Sequence, residues 1–543
     1  MLPKLVKVQN CSKLQMDYKG VEYPCYKSNQ VSIGDLSTLS KCVQRVNGQA
    51  ANSASPTDIY RLQMKTSDFR YDGQYIPTLF MKVFISEKCK YNTIGDKMVS
   101  RTNRAPLNTE EMLYEYLIYI TKIKHIVDLN ICPYFVRVLG GNLRVDLHDI
   151  LDFLRKTTIS SKIQDNLYRN MSFLYYKDVA SERSPNRPSI TDDIKIYPTD
   201  SFGRSVVSID KNTGLIDDIE VDRFENDTKY GYFVTEGTPN TTTLSDLIKN
   251  GNFSSDDLYI ILFQLIMACK TMNMAQLAHN DLHSGNILVE KGKFTEVIFT
   301  DNWFYQLTSP LRLRIYDFDR GYNKDYKNSG LDGLEDYSQS NNLIEKRDLV
   351  KSIGYFFHDQ GISKSAIVRS SDPGIIKFRK DLTNILIGSD DDTKLYNFYK
   401  NTGPHLQKTD SRGVEAGRNS NIDFSAFPRS FDEMLRMAYD NINPKYKPFY
   451  DLCINDPQVE IYYLSNRIFD THGEILRREL DKLKNNTMKN ICLLKQQQQQ
   501  KQKEKGKQKE KGNPRYDKNP SKKGFLSTLL SDLGEYNPYG GKS

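Results

Sequence analysis

His279-Asn280-Asp281-Leu282-His283-Ser284-Gly285-Asn286 decides how this chain of 543 residues is read, together with Asp317-Phe318-Asp319 downstream. The pattern is H-x-D-L-x-x-x-N followed by D-F-x. With each residue type near one in twenty, four fixed positions of this kind match by chance in roughly one of several hundred chains of this length. The chemistry has a reason for each residue. Moving a phosphoryl group onto a hydroxyl requires a carboxylate to orient or deprotonate that hydroxyl, and Asp281 suits the task. It also requires oxygen ligands for a divalent cation bridging the phosphates, which Asn286 and Asp317 can supply. The spacing from Asp281 to Asn286 lets one loop present both side chains to the same phosphates. Ile287-Leu288-Val289 after the first motif and Ile315 before the second predict two buried strands. A loop that merely happens to contain His, Asp and Asn would not explain the second motif.

Working outward, 543 residues exceed what one compact core usually holds, so at least two lobes are expected. Composition is that of a soluble globular protein, 38% hydrophobic and 27% charged, with 34 Tyr and the single Trp303. No apolar run predicts a membrane span: the best stretch, Leu258 to Met267, is short and contains Gln264. Met1-Leu2-Pro3-Lys4 does not open a secretory signal. Eight cysteines without a C-x-x-C pair or spaced histidines predict reduced thiols in a cytoplasmic setting, with neither a zinc site nor a disulfide framework. The net charge of +8 is local. Residues 495–523 hold 11 Lys/Arg against 3 Asp/Glu, which matches the excess of the whole chain. Basicity therefore belongs to a tail, and it argues against a nucleic-acid-binding surface on the core.

The pattern divides the chain into segments. Residues 1–42 read as an N-terminal extension. Val43 to Phe84 is strand-rich: Tyr60-Arg61-Leu62-Gln63-Met64 alternates, and Leu79-Phe80-Met81-Lys82-Val83-Phe84 is a buried strand carrying one lysine. A helix opened by Asn108 or Thr109 follows, with Leu113, Leu117, Ile120 and Ile123 at helical spacing. Tyr134 to Leu139 is a further strand. Residues 143–225 read as an insertion, containing a helix from Leu147 to Phe153 and a polar loop at Ser181 to Pro188. Tyr232-Phe233-Val234 is the next strand, and Glu236-Gly237-Thr238-Pro239 the connection onward. Ser255 and Asp256 open a helix over Leu258 to Met272 that is apolar on most faces, hence buried. Asp348 to Phe356 predicts another buried helix. Residues 484–523 form a low-complexity linker, with two Lys-Gln-Lys-Glu-Lys-Gly repeats at 501–512, and are expected to be disordered. Within residues 524–543, Leu526, Leu529, Leu530 and Leu533 share a helical face.

On these residues the chain resembles the eukaryotic-protein-kinase-like superfamily over residues 43 to about 360. It is most similar to the divergent serine/threonine kinases of large DNA viruses, including the poxvirus late-kinase type. Asp-Phe-Asp in place of Asp-Phe-Gly, the hairpin from Lys291 to Leu313 and the large insertion carry that finer resemblance. It implies an α+β, two-lobed kinase-like fold: a small lobe over 43–236 interrupted by the insertion, and a large lobe with a C-terminal helical region over 237–483. It implies ATP with Mg2+ or Mn2+ as cofactors, protein substrates, and a location in the host cytoplasm or the virion. Lys82 then holds the nucleotide phosphates, with Glu115 as its anionic partner and Glu111 as the alternative. The opposing reading of Lys82 is a strand lysine reaching out to solvent. Val234 and Glu236 fall where the nucleotide is expected. The family's glycine-rich loop is reduced to Gly48 within Val46 to Ala54, and an ordinary turn is the competing reading there. His279 would pack beneath the loop, Phe318 between the lobes, and Asp348 would anchor the loop. Asp319 stands at a glycine position, and Gly321 is expected to return some backbone freedom. His283 takes the place of the lysine that protein kinases direct at the transferred phosphate.

Several functions fit this pattern. The first is an ATP- and magnesium-dependent serine/threonine protein kinase using Asp281, Asn286, Asp317 and Lys82. The second is a small-molecule or lipid phosphotransferase on the same fold, prompted by His283 and Gly285. The third is a non-catalytic pseudokinase scaffold, prompted by the eroded glycine loop. The basic tail suits docking to an acidic partner or a viral assembly site, with an inert repeat as its bland alternative.

Overall fold

A computed structural model describes residues 34–49, 58–65, 70–71, 74–87, 114–157, 229–237, 240–323, 344–358, 364–402, 426–448, 450, 458–487 and 489. They form a mixed α+β structure. Strands β1 (Val43–Gln49), β2 (Asp58–Met64), β3 (Thr78–Glu87), β4 (Val138–Val145) and β5 (Lys229–Gly237) make an antiparallel sheet in the order β1-β2-β3-β5-β4. Period-two alternation drives it: Tyr60, Leu62 and Met64 are buried while Arg61 and Gln63 face solvent. The central position of β3, between β2 and β5, sets Lys82 opposite Phe233.

Helix α1 covers residues 114–128, and its middle turn, Tyr119–Ile123, is π-helical. After it come α2 (Leu147–Thr157) and α3 (Leu244–Asn250). Next is α4 (Ser255–Met274), whose residues from Leu258 to Met272 are all buried. Ser254 caps α4 through a reciprocal bond pair with Asp257. Gln264, in the middle of this apolar helix, donates to the Leu311 carbonyl and accepts from the Leu313 N–H, so its burial is compensated. Helices α5 (Ile344–Phe357), α6 (Pro373–Ile387), α7 (Asp392–Thr402) and α8 (Phe431–Asn441) follow, and short helical turns lie at Leu36–Leu39 and Ala366–Arg369.

A second sheet lies against α4. Strands β7 (Ile287–Thr300) and β8 (Phe304–Ile315) form a long antiparallel hairpin. The free side of β7 takes β6 (Thr241–Thr243) along its first half and β9 (Val459–Leu464), parallel, along its second. One continuous apolar core runs from Phe84 and Phe233 of the first sheet through α1 and α4 to α8.

Several expectations shift. The strand at Tyr134 to Leu139 begins at Val138, because residues 135 and 136 are committed elsewhere: Phe135 bridges Ile315, and Val136 N–H donates to the Ile315 carbonyl. Strand β4 runs to Val145 and pairs β5, which begins at Lys229, so residues 146–228 separate two paired strands in the chain. The helix within them extends to Thr157. The cap of α4 is Ser254, not Ser255 or Asp256. Gly48 lies inside β1 opposite Tyr60, so it is a strand residue and not a turn. Chain order continues past Leu483: residues 477–487 are helical, Thr487 is buried, and Lys484 donates to the Leu129 carbonyl. Asn108, Thr109, Glu111, the loop at 181–188, residues 50–54, and the stretches 495–523 and 524–543 lie outside the described residues. Among the described residues no helix is long and apolar enough to cross a membrane, and Cys132 and Cys269 are buried free thiols.

Candidate active site

The loop 279–286 leaves α4 and enters β7, and the hairpin then returns the chain through β8 to Asp317. Both motifs thus sit at one end of the same hairpin. Leu277–Ala278 and Tyr322–Asn323, which flank the two motifs, pair antiparallel and close the arrangement. Tyr316 joins the loops directly: its N–H donates to the Asn286 carbonyl and its hydroxyl to the Gly285 carbonyl.

The loop is held from α5. The Asp348 carboxylate accepts the N–H of His279 at 2.6 Å and that of Asn280 at 2.9 Å. This allows Asn280 to take a left-handed conformation with φ of 60°. His279 is fully buried beneath the loop, with Nε2 at 2.8 Å from the Tyr316 carbonyl and its ring 4.6 Å from that of Phe318. Phe318 is buried against Tyr119 and Phe135. His279 and Asp348 thus pack beneath and against the loop, and Phe318 joins the loop to α1 through Tyr119.

Lys82 and Asp317 come together. Lys82 Nζ lies 2.6 Å from Glu115 Oε2 and 2.9 Å from Asp317 Oδ1, and 5.8 Å from the centre of the Phe233 ring. The lysine does not reach out to solvent. Burial disfavours its charge, but the Asp317 and Glu115 carboxylates outweigh burial and hold its pKa well above the ordinary lysine value. Burial pushes Glu115 up to about 8 against the pull of Lys82, with Asp317 and Asp319 adding to the push. The raised lysine governs the pair, because two oxygens this close keep the ammonium protonated. Burial and the neighbouring Asp317 also push Asp319 up to about 6. The Lys82 ammonium thus contacts two carboxyls, Glu115 and Asp317, and also feels the charge of Asp319.

Asp317 is itself left-handed, with φ of 69°. Its N–H donates to the Tyr119 hydroxyl at 2.8 Å, and Tyr114, one turn earlier on α1, accepts the Asn323 N–H at 2.7 Å. Gly321 does not supply the expected freedom. A Cβ there would stand 2.6 Å from Ile118 Cδ1, so this glycine permits close approach to α1, and Asp317 takes the unusual dihedral.

At Asp281, Oδ1 accepts from Lys351 Nζ at 2.8 Å, while Oδ2 has Arg320 at 3.7 Å and His283 Nε2 at 3.9 Å. Burial would raise this carboxyl, but Lys351 leads the opposing cations and holds it down to about 2. Asn286 donates its amide to the Asp281 carbonyl at 3.0 Å, so its Oδ1 is the ligand atom that remains. His283 turns Nδ1 to the Gly285 N–H at 3.0 Å, and burial lowers its pKa, which keeps it neutral near pH 7. A Cβ on Gly285 would meet the His283 ring at 2.8 Å, hence the glycine.

The donor set fits magnesium held with a polyphosphate. Among the described residues no group of three or more His, Cys, Asp or Glu forms a cation cage. Magnesium commonly takes only one or two protein oxygens and completes its shell with phosphate and water, and Asp317 and Asn286 offer that many.

The remaining sequence candidates are placed differently. Val234 is wholly buried in β5 between Met81 and Gly140. Glu236 Oε1 pairs with Arg314 at 3.1 Å, and its N–H donates to the Arg137 carbonyl. Sequence reasoning missed Lys351, Tyr119 and Arg314. The signal available for Lys351 was a lysine three residues after Asp348 on a helix otherwise apolar enough to be buried. Comparison with protein-family models and with curated proteins finds no match to this chain.

Proposed function

We propose that this chain is an ATP- and Mg2+-dependent (or Mn2+-dependent) serine/threonine protein kinase on a two-lobed kinase-like fold, akin to those of large DNA viruses. The observation that carries the reading is the meeting of Lys82, Glu115 and Asp317, from three separate elements, on the loop side that also presents Asp281 and Asn286. Bound magnesium, held by Asp317 and Asn286, would neutralise charge on the phosphates. Lys82, fixed by Glu115, binds phosphate oxygens. Asp281 Oδ2 accepts the proton of an acceptor hydroxyl as that oxygen bonds to the γ-phosphorus of ATP. The bond from that phosphorus to the β–γ bridging oxygen breaks and ADP leaves. Most of the gain comes from positioning and electrostatics.

The reading is tested by incubating the full chain with γ-labelled ATP and Mg2+, offering proteins and small alcohols as acceptors side by side. The expected result is label on serine or threonine of a protein, reduced by about three orders of magnitude or more in Asp281→Ala. Undiminished transfer by Asp281→Ala would refute the mechanism. Label on the small alcohols alone would favour a small-molecule phosphotransferase, the alternative that His283-Ser284-Gly285 supports.

A further inference from the structure

We propose that Lys351 is the positioning cation of the Asp281 site, delivered from α5 where the loop itself carries no lysine. This rests on the phosphotransferase reading above and adds the residue that orients its base.

The geometry is a two-residue grip from one helix. Asp348 and Lys351 lie three residues apart and so share a face of α5. Asp348 takes two backbone N–H groups, from His279 and Asn280. Lys351 Nζ takes the next carbonyl, Asn280 O at 2.9 Å, and Asp281 Oδ1 at 2.8 Å. The helix thus binds both polar edges of the same short stretch, one with a carboxylate and one with an ammonium.

Lys351 is a deliberate occupant of this place. Its side chain is 8% exposed, and an ammonium so buried persists only with partners matched to its donors. Those partners fix which oxygen of Asp281 is free. With Oδ1 engaged by Lys351, Oδ2 is left toward Arg320 and His283, both beyond hydrogen-bonding distance, and this is the oxygen available to an acceptor hydroxyl. His283, by contrast, points Nδ1 back at the Gly285 N–H and braces its own loop. The loop position therefore holds a structural imidazole, and the charge comes from the helix beneath.

The test compares Lys351→Gln, Lys351→Arg, Asp281→Asn and the Asp281→Asn/Lys351→Gln double variant in the full chain, using γ-labelled ATP and casein. Rates are expressed per folded, nucleotide-binding site. Glutamine can still donate to Asn280 O but carries no charge. The expected result is a kcat about a hundredfold lower in Lys351→Gln, with KM for ATP within about twofold of wild type. Lys351→Arg should recover kcat to within about tenfold. The double variant should be no slower than Asp281→Asn alone, because a residue acting through Asp281 has nothing further to lose once that carboxylate is gone. An active wild type whose Lys351→Gln variant keeps its kcat, or a double variant slower in proportion to both single losses, overturns the inference alone. A wild type that labels no acceptor overturns the phosphotransferase reading and the inference with it. If Lys351→Gln does not melt cooperatively, Lys351→Arg decides: recovery supports the role, and a folded arginine variant as slow as Asp281→Asn overturns it.

Discussion

At the scale of single residues, the site is defined by how charge is shared among a few side chains. The Asp281 carboxyl, held at about 2 against an ordinary 3.8, is stabilised by Lys351 and Arg320 despite burial. A depressed carboxyl stabilises the fold above its unfolded value and loses that contribution as pH falls through its folded value. The window is therefore below pH 4, and a difference of this size is worth about 2 kcal/mol. Wild type and Asp281→Asn should accordingly converge in unfolding free energy by about that amount between pH 5 and pH 2, as followed by urea denaturation. A pH-independent gap between the two proteins would show that Lys351 does not hold this charge. Asp281, Asn286 and Asp317 were legible in the sequence because their meaning lies in short spacings within loops. Lys82 was legible as an ammonium in an apolar strand, and the structure supplies both of its partners. Lys351 was not, because its partner is 70 positions away in the chain and only the fold brings them within 2.8 Å.

Elements were read from periodicity, and periodicity explains where that succeeded. Helix α4 was evident because nearly every face is apolar, and β2 because it alternates. The stretch at 134–136 has the composition of a strand, yet its backbone bonds go to Ile315 and it joins no sheet ladder. Nothing in its residue types distinguishes the two outcomes. The π turn of α1 was equally invisible. A π turn adds a residue to one turn of helix and redirects the side chains around it, a device frequent at functional sites. Here Tyr119 opens that turn, one helical turn after Glu115, so α1 reaches both Lys82 and the Asp317 N–H. Tyr119→Phe keeps the ring packed on Phe233 and Phe318 but leaves the half-buried Asp317 N–H without this acceptor. A loss of about 1–3 kcal/mol is expected, together with a weaker stabilising effect of Mg-ATP in thermal melts. If the phenylalanine protein melts like wild type with and without nucleotide, the hydroxyl does not support Asp317.

At the scale of the whole molecule, the C-terminal segment belongs to the fold further than its composition suggested. Strand β9 completes the second sheet along β7, Glu474 and the His472 carbonyl receive the buried Lys122 of α1, and Lys484 caps the Leu129 carbonyl. A chain ending at Asn490 should keep its transfer rate. One ending at Pro457 should lose cooperative melting, since it uncovers the β7 edge and strands the Lys122 ammonium. Equal behaviour of the two truncations would show that residues 458–487 are an accessory. The turn to low complexity beyond Leu483 marks a boundary there in the sequence, whereas burial of Thr487 depends on the surface it meets. The parallel pairing of Val459–Leu464 with a strand that begins at Ile287 also sets an order of events during synthesis. The loop carrying Asp281 leaves the ribosome long before the strand that closes its sheet. A nascent chain must therefore carry the second half of the β7 edge unpaired across more than 150 further residues, the interval in which a chaperone would be most needed.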